Sequence, residues 1–371
     1  MDFNFSDDQD ALRDAVRKWV DRSYGFERRQ GITKAGGFDR AAYGELAELG
    51  LTGLYVAEEH GGMGMGPVEA MVVLEELGRG IVLEPLAQTL VTSGVLGAYA
   101  PEAVRAQWLP KIASGEALVV LAHQERKARW RLDACEAQAT QAGGGWKISG
   151  DKSIVPAGDQ ADAFLVPAKA NGKLALFLVE REAQGVNTRG YPTLDGGRAA
   201  ELALRDAPAT LVAEDGMAAL EHAVDIGIAC TCAEGVGAMD RTMELTAEYL
   251  NTRKQFGVPL ATFQALRHRM ADMKMQLELA RSMSYYASLK LNAPVEERRR
   301  ATARAKYQLG VSMRFIGQNS VQLHGGIGVT DEYVGSHYFK KLTQLELVFG
   351  DTLHHLGEVS ERMQDTAGVF A

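Results

Sequence analysis

The sequence predicts an α+β protein with its helices and strands in separate blocks: a helical N-terminal part, a strand-rich middle and a long helical C-terminal part. Three observations support this. Apolar residues recur at helical spacing over 6–112. From about Leu118 the texture changes to short apolar or alternating runs, broken by Gly, Asp and Asn. From Gly216 to Met363 the helical period returns. Blocks segregated in this way favour packed α and β layers over an alternating doubly wound sheet. A chain of 371 residues also exceeds the ~250–300 at which a single core stops growing, so several substructures are expected. Their expected limits are 1–115, 116–213 and 214–371.

The elements follow in order. Ser6 with Gln9 three residues later forms a capping-box pattern, and Leu12, Val16, Trp19 and Val20 repeat along one face of the helix it opens. Further helices are expected over Asp39–Leu49, Gly66–Arg79, Leu86–Tyr99 and Pro101–Ala113. The glycine-rich break HGGMGMG, His60 to Gly66, lacks the preceding strand of a dinucleotide fold and the Lys-Ser/Thr of a P-loop, so it reads as a plain turn. The runs LVVLAH, GWKISGDKSIV, DAFLVPAK, LALFLVER and ELALRDAPATLV read as strands. Four helices are then expected, over Ala218–Leu250, Ala261–Lys290, Val295–Leu323 and Lys340–Met363. The small residues between Ile228 and Ala238 let helix axes approach closely, which predicts a tight bundle.

Composition narrows the function. With 46% hydrophobic and 24% charged residues, the chain has the make-up of an ordinary soluble protein. A net charge of −8 excludes nucleic acid as an expected partner, because phosphate binding needs clustered Lys and Arg. No apolar run approaches the ~18 residues needed to span a bilayer, and the acidic start MDFNFSDDQD has no secretory or transit-peptide pattern. Cys135, Cys230 and Cys232 are too few and too irregularly spaced for a disulfide framework or a zinc site. A cytoplasmic location and no metal are the expectations.

Two segments carry chemistry: Tyr249–Met273, YLNTRKQFGVPLATFQALRHRMADM, and Val321–His355, which contains QLHGGIGVTDEY and GDTLHH. Arg253 offers a planar, permanently charged fork suited to a pyrophosphate, and Gln255 and Gln264 add amide donors. Phe256 offers a flat apolar surface for an adenine. Gly325-Gly326, after Gln322 and His324, removes side chains so that backbone can approach a cofactor. Each residue alone has an ordinary structural role; together, at this spacing, they suggest a nucleotide cofactor. His354 and His355 are adjacent on a helix, point apart and have no third ligand, so a metal is not expected there.

EEHGGMGMG at 58–66, GWKISGDKS at 145–153, RKQFGVPLATFQ at 253–264 and QLHGGIGVTDEY at 322–333 give the chain a resemblance to acyl-CoA dehydrogenases over essentially its whole length. The GDTLHH segment resembles the small subunits of pimeloyl-CoA dehydrogenases. The resemblance implies an N-terminal helical domain, a central β-barrel domain and a C-terminal four-helix bundle, with FAD between barrel and bundle. It also implies α,β-desaturation of an acyl-CoA thioester, a carboxylate removing the α-proton while flavin N5 accepts the β-hydride. Arg253, Gln255 and Phe256 would contact the FAD diphosphate and adenosine of a neighbouring subunit, and Gln322, Gly325 and Gly326 would lie against that adenosine half; Gln264 and Thr352 would also contact FAD, with His123 and Gln124 near the flavin ring. An electron-transfer flavoprotein is the implied electron acceptor. Oligomers are implied as well, whether a homodimer, a homotetramer or a heterotetramer with a second dehydrogenase subunit.

Two departures from the family pattern stand out. The Thr-Glu-Pro turn and Trp-Ile-Thr-Asn-Gly strand that usually wrap the flavin ring align with Leu121–Arg126 and Ile154–Gly158, where Glu125 and Gly158 are the clear matches and Pro156 has no N–H to offer. The usual glutamate base, immediately before Gly-Thr, falls at Gly350; the alternative base position on the first bundle helix falls at Gly227. Asp351 is the nearest acid on the loop, and Asp225 and Glu234 are the nearest on the helix. Asp351 therefore has two readings, as the base or as the N-cap of the last helix. Three functions stay open: an acyl-CoA dehydrogenase using Asp351, an FAD-binding subunit of a heteromeric enzyme whose partner brings the base, and a non-catalytic protein on the same scaffold.

Overall fold

The computed structural model describes Phe5 to Met363. Contacts divide it into two compact units, one of residues 1–29, 67–82 and 228–371 and the other of residues 30–66 and 83–227. Six helices come first: α1 (Asp7–Ser23), α2 (Phe26–Ala35), α3 (Arg40–Glu48), α4 (Pro67–Arg79), α5 (Leu86–Tyr99) and α6 (Glu102–Ala113). The capping box at Ser6 forms as expected, with the Ser6 hydroxyl accepting from the Gln9 N–H and the Gln9 side chain accepting from the Ser6 N–H. The HGGMGMG break follows a short 3₁₀ helix, Glu58–His60, and carries left-handed Gly61 and Gly64.

Seven strands follow: β1 (Val119–Leu121), β2 (Gln138–Ala142), β3 (Gly145–Pro156), β4 (Ala163–Ala170), β5 (Lys173–Glu180), β6 (Val186–Pro192) and β7 (Arg198–Ala213). β4 pairs with β2, β2 with β3, β3 with β7, β7 with β5, and β5 again with β4, so the pairings close into a barrel-like ring. Its interior is filled by Val120, Ile148, Phe164, Val166, Phe177, Val179 and Leu204, all buried. β4 is buried along most of its length, which is why its sequence shows an apolar run without alternation. Tyr43 of α3 reaches this core and its hydroxyl lies 2.8 Å from that of Thr89.

The C-terminal helices are α7 (Gly216–Thr252), α8 (Gln264–Lys290), α9 (Val295–His324), α10 (Val334–Leu347) and α11 (Thr352–Met363). The first unit contains α4 and the C-terminal part of α7, and glycines on both helices set how closely they approach. A Cβ at Gly78 would lie 2.2 Å from the Glu234 carbonyl oxygen, and one at Gly237 would lie 1.8 Å from that of Glu75. The small residues of α7 thus do what the sequence predicts for them. One expected element differs: the stretch Lys340–Met363 is two helices, because Phe349 and Gly350 take left-handed backbone, with φ of 56° and 110°, and break the helical ladder. No helix among the described residues is long and apolar enough to cross a membrane.

Candidate functional site

Between α7 and α8 the chain makes a two-stranded hairpin, β8 (Lys254–Gln255) against β9 (Val258–Pro259). Its two turn residues, Phe256 and Gly257, both have positive φ, 53° and 81°, as a tight hairpin turn requires. Glycine takes this backbone freely, whereas phenylalanine is strained in it. The strain places the Phe256 ring in the open, 91% exposed. Arg253 and Gln255 are exposed beside it, and Gln264 is exposed at the start of α8. Arg253 is held at the end of α7 by its N–H to the Tyr249 carbonyl at 2.9 Å.

In the same unit α9 is followed by its C-cap Gly325, whose φ of 63° and ψ of −140° are open to glycine almost alone. A Cβ at Gly325 or Gly326 would meet nothing within 4 Å, so the backbone here is uncovered. Gln322 is exposed, and so are Ile327 and Val329 just beyond the turn. A planar cation, three amides, a bare aromatic ring and open backbone have the chemistry that a nucleotide diphosphate needs. The residues present therefore fit the adenosine diphosphate half of a flavin dinucleotide.

In the second unit, the turn after β1 carries His123, Gln124 and Glu125. Gln124 accepts the Ser153 N–H through its main-chain carbonyl at 2.9 Å, which ties this turn to β3. Burial alone would raise the Glu125 carboxyl. Lys152, 2.7 Å away and fully buried, outweighs it together with the N–H groups of Glu136 and Ala137, and holds that carboxyl below its ordinary range. Burial, and then the Lys152 charge, push His123 down to about 3, so its imidazole is neutral at pH 7. Opposite this turn, the register of β3 slips between Lys152 and Val155, and the bulge leaves Ile154 at φ 53° and 54% exposed.

The loop between α10 and α11 is built around Gly350 and pinned from several sides. Lys306 of α9, fully buried, donates to the carbonyls of Glu346 and Gly350, each at 2.8 Å. Burial brings its ammonium down to about 8, against the opposing pull of Cys232, Glu346 and Asp351. His355 is buried and pushed down to about 3, mainly by that burial, so it is neutral; its Nε2–H donates to the Phe349 carbonyl at 2.9 Å. One oxygen of Glu346 accepts the N–H of Thr352 at 3.1 Å, the Thr352 hydroxyl at 2.6 Å and Arg314 at 3.0 Å. The hydroxyl proton of Thr352 is therefore already committed to Glu346.

Asp351 is half-buried and one of its oxygens accepts the His354 N–H at 2.8 Å, which is N-cap geometry for α11. A Cβ on Gly350 would lie 2.5 Å from Cδ2 of His354 and 2.6 Å from Nε2 of His355, at a φ of 110° that side chains rarely adopt. Two imidazoles thus fill the room into which a glutamate at 350 would start. Of the other acids near the expected base positions, Glu234 is paired with Lys341 at 3.1 Å and Asp225 is fully buried. The parts played by Lys306 and Arg314 have no signal in the sequence, since their partners lie 32 to 44 residues away.

A helical start, a barrel-like sheet and a helical C-terminal part carrying an exposed nucleotide donor set describe a flavoprotein dehydrogenase. Residues 6–116 match the family model for the acyl-CoA dehydrogenase N-terminal domain, and residues 214–364 match that for the acyl-CoA dehydrogenase C-terminal domain. The chain belongs to the acyl-CoA dehydrogenase family, and so is an FAD-dependent oxidoreductase acting on the CH–CH bond of an acyl-CoA thioester. It is 26% identical over 340 residues to acyl-CoA dehydrogenase FadE27 of Mycobacterium tuberculosis, covering 89% of each chain. A solved variant of the Tcur3481–Tcur3483 steroid ACAD matches with a TM-score of 0.90 and 28% identity, over 97% of this chain and 99% of that one. The ChsE4–ChsE5 complex from Mycobacterium tuberculosis matches with a TM-score of 0.90 and 26% identity, over 99% of this chain and all of that one.

Proposed function

We propose that this chain anchors FAD for α,β-desaturation of an acyl-CoA, and that a carboxylate on a second, non-identical dehydrogenase subunit removes the α-proton. The observation that carries this is the closed Gly350 position, where both the backbone and the two imidazoles oppose a side chain. Arg253 and Gln255 hold the diphosphate, Phe256 covers the adenine, and Gln264, Gln322 and the Gly325-Gly326 backbone complete the nucleotide site. In this reading Gln124 and the neutral His123 serve a flavin ring. Bound FAD supplies the acceptor for the hydrogen and electron pair leaving the β-carbon. The α-proton is only weakly acidic, so it needs a desolvated base and donors on the thioester oxygen. Two of the similar structures are complexes named for two different chains, which supports a mixed assembly. An electron-transfer flavoprotein is the proposed acceptor of the electrons.

A second reading keeps Asp351 as the base, and one observation favours it: the other Asp351 oxygen has no hydrogen-bond partner among the described residues. One experiment separates the two. The purified chain, carrying flavin, is mixed anaerobically with a panel of acyl-CoA thioesters while the flavin absorption is followed. No bleaching by the lone chain, with bleaching on addition of a second dehydrogenase subunit, supports the mixed enzyme. Bleaching by the lone chain that is lost in Asp351→Asn with flavin retained overturns it in favour of Asp351. A colourless chain that cannot be reconstituted with FAD would end both.

A further inference from the structure

His324, the last residue of α9, is buried, and the roles of its two ring nitrogens are fixed by their neighbours. Nδ1 lies 2.8 Å from the Ser320 carbonyl oxygen, which can only accept, so Nδ1 carries the hydrogen. Burial is the strongest influence on the ring and lowers it below the ordinary histidine range, against the pull of the Ser320 and Leu245 carbonyls. Nε2 therefore presents a lone pair, and the Tyr333 hydroxyl donates to it at 2.9 Å. The Tyr249 ring lies against the imidazole, with centroids 4.6 Å apart, and the Tyr333 ring is 5.0 Å away. Gly335 leaves the Tyr333 ring its place, since a Cβ there would come within 2.6 Å of it.

The three segments that meet on this ring each lead to the nucleotide donor set. Tyr249 is one turn before Arg253 and accepts its N–H. His324 directly precedes Gly325-Gly326. Tyr333, which caps the start of α10, closes the loop that carries Ile327 and Val329. Thr246 of α7 and Ser320 of α9 share a further hydrogen bond at 2.9 Å one turn below.

We propose that His324 is a positioning residue for the cofactor anchor: its single ring, joined to Tyr249 and Tyr333, holds Arg253 and the Gly325-Gly326 turn in register. The proposal rests on the FAD reading above and adds to it a residue that need not touch the cofactor. A histidine that merely filled space would be replaceable by any apolar side chain of similar size. A positioning histidine needs one donor and one acceptor, which a glutamine amide also supplies.

The test uses the full chain, stripped of flavin, and measures FAD affinity by fluorescence quenching alongside the thermal midpoint. His324→Leu is expected to bind FAD about tenfold or more weakly, the loss of about one well-placed buried hydrogen bond. His324→Gln is expected to stay within about threefold of wild type by the same arithmetic. Tyr333→Phe, which removes one hydroxyl and keeps the ring, is expected to fall between them with an unchanged thermal midpoint, and it decides the matter if His324→Leu does not fold. Wild-type affinity in both His324→Leu and Tyr333→Phe would overturn the proposal, as would a His324→Gln variant no better than His324→Leu. A wild-type chain that fails to bind FAD would instead overturn the reading on which the proposal rests.

Discussion

At residue 350 the backbone decides the chemistry. With φ at 110° and the rings of His354 and His355 where a Cβ would go, Gly350→Glu forces either the loop or the imidazoles to move. The substitution is expected to cost about 1–3 kcal/mol of stability, the usual range for a side chain in such backbone, and to leave the lone chain unable to bleach its flavin with an acyl-CoA. Urea denaturation and anaerobic titration check the two parts. Asp351 carries a separate expectation. Asn caps a helix about as well as Asp, so Asp351→Asn should be near neutral for stability, whereas Asp351→Ala should lose about 1 kcal/mol. Equal midpoints for the Asn and Ala variants would contradict the capping role.

At the scale of elements, the packing of α4 has charge built into it. Glu75 is buried, and burial, its largest influence, raises its carboxyl to about 7; Arg281 and Arg13 pull it down while Glu76 and Asp240 push it up. Arg281 approaches one Glu75 oxygen at 3.5 Å, and the other oxygen has no hydrogen-bond partner among the described residues. In the unfolded chain this carboxyl titrates near 4.5. Between about 4.5 and 7 the folded state therefore binds more protons than the unfolded one, so this group's stabilising contribution is lost as pH rises through that window. Glu75→Gln should remove that part of the pH dependence, seen as a smaller fall in urea midpoint between pH 5 and pH 8. An unchanged fall would show that Glu75 does not titrate there. Lys152 and Glu125 are a contrasting buried pair, 2.7 Å apart; Lys152→Met leaves the carboxylate unpaired and is expected to cost about 3–5 kcal/mol by denaturant unfolding.

At the scale of the whole molecule, several large apolar side chains face outward: Phe256 is 91% exposed, Leu353 74% and Val329 69%. Under the proposed reading they are covered by cofactor and by other subunits, so light scattering of the purified protein should give a mass above the 40.2 kDa of one chain. A stable monomer that binds FAD at micromolar concentration would show that no second copy of the chain covers these side chains.

Much of this architecture is legible in the sequence. The switch of period from helix to strand and back follows from burial on one face or two, and is carried by local residues. The glycines between Ile228 and Ala238 announce a close helix contact before any partner is known. Phe256 in a tight turn, Arg253 beside it and Gly325-Gly326 are likewise local, because each works through its own backbone or an exposed side chain. Asp351 is legible as a cap for the same reason. By contrast, the two carbonyls held by Lys306 across the break at 348–351, inside an apparently continuous helix, and the bond from Arg314 to Glu346 arise between residues far apart in the chain. The sequence by itself determined the order of elements, the residues proposed for the nucleotide and the absence of a glutamate at 350. Only the tertiary structure decided that this absence is a filled position and not a gap, because the φ of Gly350 and the placing of two imidazoles against it belong to the folded loop, whose Gly350 carbonyl is held by Lys306 from 44 residues away.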